Sequence, residues 1–465
     1  MRAFLREHAP SILVAALSSA FGVSLLQVTG NLAVLINNDD VARSSGVIQA
    51  VLSFIAVVFI VIATYVGAIV TANTFATIIA GRTRTIALMR LIGASAASQR
   101  RAVAREGLQV GLVGSAIGAL VGTLVTFTII SIAVASDFIP SLAYQYVDAF
   151  TALPIVAVVL TTWLASWIGS RRVLDVSPMQ AIGGSVEATR DEAAGHRGRN
   201  AIALTLMIIG VALLALGILV GLVNPVGVLV GVVGGILSFT GLVLGSQLVM
   251  PPALRLVGRM LGSSPSARLA AENAVRYPER SSRTTIGLVI GVTLVTMFAV
   301  AVESFQQIIR EAQAAQPEVY EGTDQILLIV VVVFSVLIGF SALIAAVGLV
   351  NNLSLSVLQR TRELGLLRAL GFTGRQLRGM IRAESAQLTV AAILVGLVLG
   401  IAYGWAGAQS LLGGIQGSPG IILPVVPLWL LAVVVVAAAV LTAVASIAPS
   451  RRATRIAPVV ALAVE

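Results

Sequence analysis

Two stretches of this chain carry no charged residue at all, Asn200–Leu254 and Ser385–Ser450. About 20 apolar residues in a helix cross the hydrocarbon core of a bilayer. Each stretch is therefore long enough for two crossings with a turn between them. Inside lipid a lone segment can satisfy its backbone only as a helix, so the chain is constrained to an all-α, polytopic membrane fold. Its 465 residues are 58% hydrophobic and 11% charged, which leaves too little polar surface for a soluble protein of this length.

The apolar runs predict ten spans, near residues 11–36, 46–80, 107–135, 150–170, 201–222, 226–250, 285–305, 325–357, 385–410 and 425–448. The charges test that count independently. With the loops sorted alternately, one face collects both termini and segments 82–106, 171–199, 255–283 and 358–384, holding 28 of the 30 arginines. The other face holds only Arg43 and Arg310, against nine acids: Asp39, Asp40, Asp137, Asp148, Glu303, Glu311, Glu318, Glu321 and Asp324. The positive-inside rule makes the arginine-rich face cytoplasmic. The expected location is the bacterial plasma membrane, with both termini inside. The net charge of +10 is thus a sum of +17 inside and −7 outside, and implies no nucleic-acid partner. Met1–Ala20 has the charges and apolar run of a secretory signal, but the run continues to Ile36, which suits a retained span.

Two absences narrow the chemistry. Without cysteine there is no disulfide, thiol nucleophile or cysteine metal site. All thirty basic residues are arginine, and a P-loop needs a lysine to reach the β- and γ-phosphates. Any ATP hydrolysis must come from another protein. His8 and His196 stand alone, with no metal-ligand spacing. No acid falls in the middle of a predicted span, which argues against a proton- or sodium-coupled carrier; Glu106 and Glu384 lie only at the inner starts of equivalent spans. No catalytic constellation is visible, and the chain is not expected to be an enzyme.

A repeat organises the rest. Arg82-Thr-Arg-Thr-Ile-Ala-Leu-Met-Arg90-Leu-Ile-Gly93 returns as Arg360-Thr-Arg-Glu-Leu-Gly-Leu-Leu-Arg368-Ala-Leu-Gly371. Arg82, Arg84, Leu88, Arg90, Gly93 and Glu106 map onto Arg360, Arg362, Leu366, Arg368, Gly371 and Glu384 at one offset, 278. After the fourth and tenth spans, Arg171-Arg172 and Pro178 return as Arg451-Arg452 and Pro458, at an offset of 280. The chain thus divides into a first four-span half (1–183), a middle region with a linker, spans five and six and a cytoplasmic amphipathic segment (184–284), and a second four-span half (285–465). Gly183–Arg199 reads as a flexible linker. Ala267–Arg276 reads as an interfacial amphipathic helix. Glu303–Asp324 is the longest outer loop, so no sizeable extracytoplasmic domain fits. Gly111, Gly114, Gly118 and Gly122 share one face of the third span, as a close helix-packing surface would. Trp163 and Trp167 read as packing or lipid-interface residues, and Arg171, Arg172, Arg451 and Arg452 as topology determinants. Asn351 and Asn352 end a span.

The second arginine segment, preceded by Asn351-Asn352, and the closing Ser450-Arg451-Arg452-Ala…Ala457-Pro458 resemble the FtsX-like permease family, the membrane subunits of type VII ABC systems. Ala271-Glu-Asn-Ala-Val-Arg276-Tyr-Pro278-Glu-Arg280 also resembles a segment of its duplicated ten-span members. The resemblance implies that a short helix in each repeat docks in a groove on a cytoplasmic ABC ATPase, two copies per permease. ATP and Mg would be bound by that partner, with no cofactor in this chain. Coupling then falls to Arg82, Arg84, Leu88, Arg90 and Gly93, and to Arg360, Arg362, Glu363, Leu366, Leu367, Arg368 and Gly371. Leu364, Leu367 and Leu370 recur at three-residue spacing, with Glu363 and Arg368 available for charge-assisted contacts. Thr85 replaces the acid of the second copy, so the two docking sites are expected to differ. The expected function is export or extraction of an amphipathic or lipid-like substrate, with membrane lipids as the surroundings. The alternative is mechanical signalling to a cell-wall hydrolase, or sensing of an antimicrobial peptide, through an extracytoplasmic partner.

Overall fold

The computed structural model describes residues 8–37, 92–170, 197–260, 265–276, 278–319 and 370–437, with isolated positions 58, 61, 62, 65, 69, 88, 89, 331, 335, 338, 339, 342, 343, 439 and 440. The main helices are α1 (Ala9–Asn37), α2 (Ala96–Ala135), α3 (Ala152–Gly169), α4 (Arg197–Gly221), α5 (Gly227–Leu244), α6 (Ser246–Gly258), α7 (Pro265–Arg276), α8 (Pro278–Ala315) and α9 (Gly374–Leu412). There is no strand among the described residues. Seven of these helices are long and apolar enough to cross a membrane: α1, α2, α3, α4, α5, α8 and α9. They correspond to seven of the ten expected spans. The second and eighth fall almost wholly outside the described residues, although Val58, Val61, Ile62, Tyr65 and Ile69, and later Val331, Ser335, Ile338 and Leu343, are helical. Of the tenth, Leu428–Ala437 is a short apolar helix.

Burial sorts the helices. The apolar stretches of α1 and α8 are each 78% buried, against 22% for α2 and 17% for α4. α1 and α8 lead the two halves, so the equivalent helix is central in both. α2 packs on α1 and α3, α9 packs on α8, and the α4–α5 hairpin packs on α9. Outward-facing Leu120, Leu124, Leu216 and Leu219 suit a lipid-facing surface.

Glycine brings the pairs together. A methyl group at Gly118 would stand 2.2 Å from the Ala16 carbonyl oxygen, and one at Gly122 would stand 2.7 Å from that of Ala20. In the second half, one at Gly400 would meet the Thr293 carbonyl oxygen at 2.7 Å, and one at Gly396 the Val292 Cβ at 2.8 Å. Gly118 and Gly122 map onto Gly396 and Gly400 by the same offset of 278, so the duplication extends to the helix crossing itself. Hydroxyl groups add to the first crossing: Ser19 donates to the Ser115 carbonyl and Ser24 to that of Gly122, each at 3.0 Å. Near the C-terminal end of α1, Asn31 clamps the backbone of Gln145, donating to its carbonyl at 3.1 Å and accepting from its amide at 2.9 Å. Gln27 donates to the Tyr146 carbonyl at 2.6 Å.

Four expectations change. α2 and α9 begin at Ala96 and Gly374, about three turns before the apolar runs, because side-chain caps start them in the charged segments. α8 runs on to Ala315, so Glu303 and Glu311 lie on a helix and not in a loop. Helical i,i+4 pairs support that extension, Gln307 to Glu311 at 2.8 Å and Arg310 to Gln306 at 2.5 Å. The sixth span breaks at Gly245, which closes α5 by donating to the Gly241 carbonyl at 2.8 Å, and α6 follows with Pro251 and Pro252 inside it. Finally, α7 buries Ala270 against Leu377, Met380 and Ile381 of α9. Its apolar face meets protein, where a lipid interface was expected. His8 is buried at the start of α1.

Candidate coupling site at the inner ends of α2 and α9

Both repeats enter their long helix by the same sequence of backbone states. Gly93 has φ 102° and Gly371 φ 99°. This left-handed region is where an L side chain is strained and glycine is not. Two residues on, Ser95 and Thr373 are extended and cap the helices that follow. Ser95 accepts from the Ser98 amide at 3.1 Å. Thr373 forms a full capping box: its hydroxyl accepts from the Gln376 amide at 3.3 Å while Gln376 Oε1 accepts from the Thr373 amide at 2.9 Å.

The turn also ends the helical segment before it. The Ala94 amide donates to the Met89 carbonyl at 3.0 Å, reaching back five residues over Gly93. That bond, around a left-handed glycine, is the Schellman closure of a helix C-terminus. The first unit is thus a helix stop, a left-handed turn and a capped helix start, compressed into a few residues, and the second has the same turn and capped start. Such a unit fixes the angle between a rod and the segment before it.

The short helix presents apolar side chains outward. Ile92 is 80% exposed and its repeat mate Leu370 is 72% exposed, with Leu88 and Met89 near half-exposed. Leu88, Met89 and Ile92 lie within one turn, so they form one apolar patch. Such a patch is unpartnered by this chain's described residues and is of the kind that marks a protein contact. Arg101 and Arg105 are exposed on α2, and Arg375, Arg378 and Arg382 on α9. Leu377, Met380 and Ile381 occupy the opposite, buried face of α9. Both long helices thus begin with exposed cations.

Of the residues expected to couple, Leu88, Gly93 and Gly371 are placed in this unit. Arg82, Arg84, Arg90, Arg360, Arg362, Glu363, Leu366, Leu367 and Arg368 lie outside the described residues, as do Thr85, the closing Arg171, Arg172, Arg451 and Arg452, and Asn351 and Asn352. One contributor escaped sequence reasoning. The Arg100 guanidinium sits 4.1 Å from the centre of the Trp167 ring, tying the start of α2 to the end of α3. The two residues belong to different spans, and no spacing rule links them.

Comparison with known proteins follows the same division. The FtsX-like permease C-terminal model matches residues 57–178 and again 335–458. The chain belongs to the FtsX-like permease family. The two matches begin 278 residues apart and end 280 apart, the offsets of the repeat. Over 105 residues the chain is 33% identical to the "Uncharacterized ABC transporter permease YknZ" of Bacillus subtilis (strain 168), covering 23% of this chain and 25% of that protein. Over 122 residues it is 25% identical to the "ABC transporter permease YtrF" of the same organism, covering 25% and 28%. The matched segments thus span about a quarter of these curated relatives. FtsX-like membership and the seven apolar helices make this an all-α, multi-pass membrane protein.

Proposed function

We propose that this chain is the permease subunit of an ABC system, coupling ATP hydrolysis by a separate cytoplasmic ATPase to export or extraction of an amphipathic or lipid-like substrate. The observation that carries the reading is the pair of equivalent turns at the foot of two long rods. α2 and α9 contain 40 and 39 residues. At 1.5 Å per residue each is about 60 Å long, twice the thickness of a bilayer's hydrocarbon core. A push at Gly93 or Gly371 is thus delivered to the outer face along one unbroken helix.

Two turns in one chain call for two ATPase copies per permease, with ATP and Mg held by those subunits. The arginine segments Arg82–Gly93 and Arg360–Gly371 supply the contact, apolar at Leu88 and Leu370 and charged at Arg82, Arg84, Arg90, Arg360, Arg362, Glu363 and Arg368. The relatives' descriptions as ABC transporter permeases support this reading, as does the absence of lysine for a P-loop in the chain itself. Ten spans, both termini inside, and division at 1–183, 184–284 and 285–465 complete the architecture. Mild-detergent purification from native membranes tests it, with mass spectrometry of co-eluting proteins. A Walker-type ATPase at two per permease, lost in Glu363→Arg, is the expected result. Recovery of the permease without any ATPase, where other ABC complexes survive, would overturn the proposal.

One observation favours a second reading. α8 is a continuous helix from Pro278 to Ala315 and carries Glu303 and Glu311 near its C-terminal end, which the proposed topology puts outside. Such a strut could pass force to an extracytoplasmic hydrolase or respond to a cationic peptide. Neutralising Glu311 and Glu318 separates the two readings: signalling is lost and transport kept if the strut is the output.

A further inference from the structure

Spans five and six have no counterpart in the repeat. The structure shows what they enclose. α5, α8, α9 and the helical positions Val58, Ile62 and Tyr65 surround a cavity of about 160 Å³ with almost wholly apolar walls. The first half contributes span two, the second half contributes α8 and α9, and the unrepeated hairpin contributes the rest.

Of the hydroxyls in the wall, those of Tyr65, Tyr403 and Ser410 are engaged, and the buried Thr293 hydroxyl has no partner among the described residues. The Tyr65 hydroxyl donates to the Ile236 carbonyl at 3.0 Å and lies 2.8 Å from the Thr240 hydroxyl. The Tyr403 hydroxyl lies 2.9 Å from that of Ser238. Between them, Phe239 packs edge-on to both rings, with centroids 6.5 and 6.2 Å away. Three aromatic rings thus form one side, and the hydroxyls bind the wall together.

Shape and depth narrow the occupant. The lining runs along α5 from Val228 to Phe239, along α8 from Thr293 to Phe305, and along α9 from Tyr403 to Leu411. At 1.5 Å per residue these are stretches of about 12–18 Å, close to half of a hydrocarbon core of about 30 Å. The lining begins one residue inside the start of α5 and stops one residue before the end of α9, so it occupies the end of the bundle opposite the arginines. A dry cavity of about 150 Å³ is known to accept benzene. Drawn out over a leaflet's depth, the same volume is one hydrocarbon chain wide. Water finds too few partners there, and a peptide backbone would lose its hydrogen bonds.

We propose that this slot holds one acyl chain of an outer-leaflet lipid, and that the unrepeated hairpin exists to build it. The proposal rests on the topology and lipid-like substrate class given above.

Two glycines allow a direct test. A Cβ at Gly235 or Gly407 would meet nothing within 4 Å, and both residues line the slot. Gly235→Phe and Gly407→Phe therefore fill it without backbone collision. The full chain is placed in nanodiscs containing phosphatidylcholine with a diazirine in the distal part of one acyl chain, irradiated, and mapped by mass spectrometry. The expected result is labelling of Phe239 and Tyr403–Leu411 above that of lipid-facing Leu216 and Val398. That excess should fall roughly tenfold in the filled variants, with lipid-facing labels unchanged. Gly235→Leu gives the same readout with a smaller intrusion, should phenylalanine disturb the bundle. Equal labelling of slot and lipid-facing positions, or labelling indifferent to filling, would overturn the proposal. Slot labelling by a diazirine free fatty acid but not by the phospholipid would also overturn it. No ATPase is present, so a failure here leaves the coupling proposal standing, and a permease without an ATPase partner leaves the labelling result standing.

Discussion

Gly93 and Gly371 are 278 residues apart and hold the same left-handed turn, at φ 102° and 99°. Each is followed two residues later by a helix-capping hydroxyl, Ser95 or Thr373. Two copies have drifted apart at most positions between and around them, Thr85 against Glu363 among these, and still share this backbone device. The direction in which a rod leaves the segment before it is what the device controls.

The turn makes a prediction that separates backbone from side chain. Space is open around both glycines, so only the φ angle resists substitution. A β-branched residue in the left-handed region costs about 1–2 kcal/mol or more, whereas asparagine adopts it more readily. Gly371→Val should therefore cut ATPase recruitment by roughly tenfold, and Gly371→Asn should restore most of it. Co-purification yields under matched expression measure both. Equal recruitment by wild type and Gly371→Val would show that the angle is immaterial.

The charged part of the site predicts inequality between the halves. Glu363→Arg and Arg368→Glu should each reduce ATPase association while leaving the permease in the membrane. Thr85→Ala removes no charge and should have little effect. Stimulated ATP hydrolysis in a reconstituted complex reads the difference. Unchanged stimulation in both charge reversals would remove the docking assignment.

The glycine crossings predict a stability effect without a docking effect. A side chain at Gly118 collides with the Ala16 carbonyl, and one at Gly400 with Thr296 Cβ at 2.4 Å. Overpacking of this kind costs about 1–3 kcal/mol. Gly118→Leu and Gly400→Leu should lower the temperature at which the detergent-solubilised chain loses its monodisperse elution. Gly235→Ala, with open space around its Cβ, should not. If all three variants elute alike after heating, the crossings contribute nothing measurable.

Much of this was legible in the sequence because the underlying signals are local and periodic. The apolar runs of α4 and α5 gave two spans, and Gly111, Gly114, Gly118 and Gly122 gave a packing face, as the contacts of α2 with α1 and α3 bear out. The arginine repeat pointed to the segments that end at the left-handed turns of Gly93 and Gly371. What the sequence hid is either capping or long-range. Ser95 and Thr373 start helices inside charged segments, where hydropathy sees no helix. Leu377, Met380 and Ile381 lie in the charged segment 358–384, where nothing in the sequence shows that α7 covers them. Arg100 over Trp167, and Phe239 between Tyr65 and Tyr403, join residues that no periodicity relates.

The orientation of the chain can be tested through its composition. It contains no cysteine, so any single introduced thiol is the only one to react. Val147 is 86% exposed in the connection after α2, and Ile92 is 80% exposed at the opposite end of that helix. The proposed topology, with 28 of 30 arginines inside, puts Ile92 in the cytoplasm and Val147 outside. A membrane-impermeant maleimide added to intact cells should label Val147→Cys and Ser418→Cys at once. It should label Ile92→Cys and Leu370→Cys only after permeabilisation. Ile92 and Leu370 sit beside the two left-handed turns, so their common protection is required if both docking patches face one ATPase compartment. Labelling of either one from outside would invert its half of the molecule and remove the shared direction of force on which coupling depends.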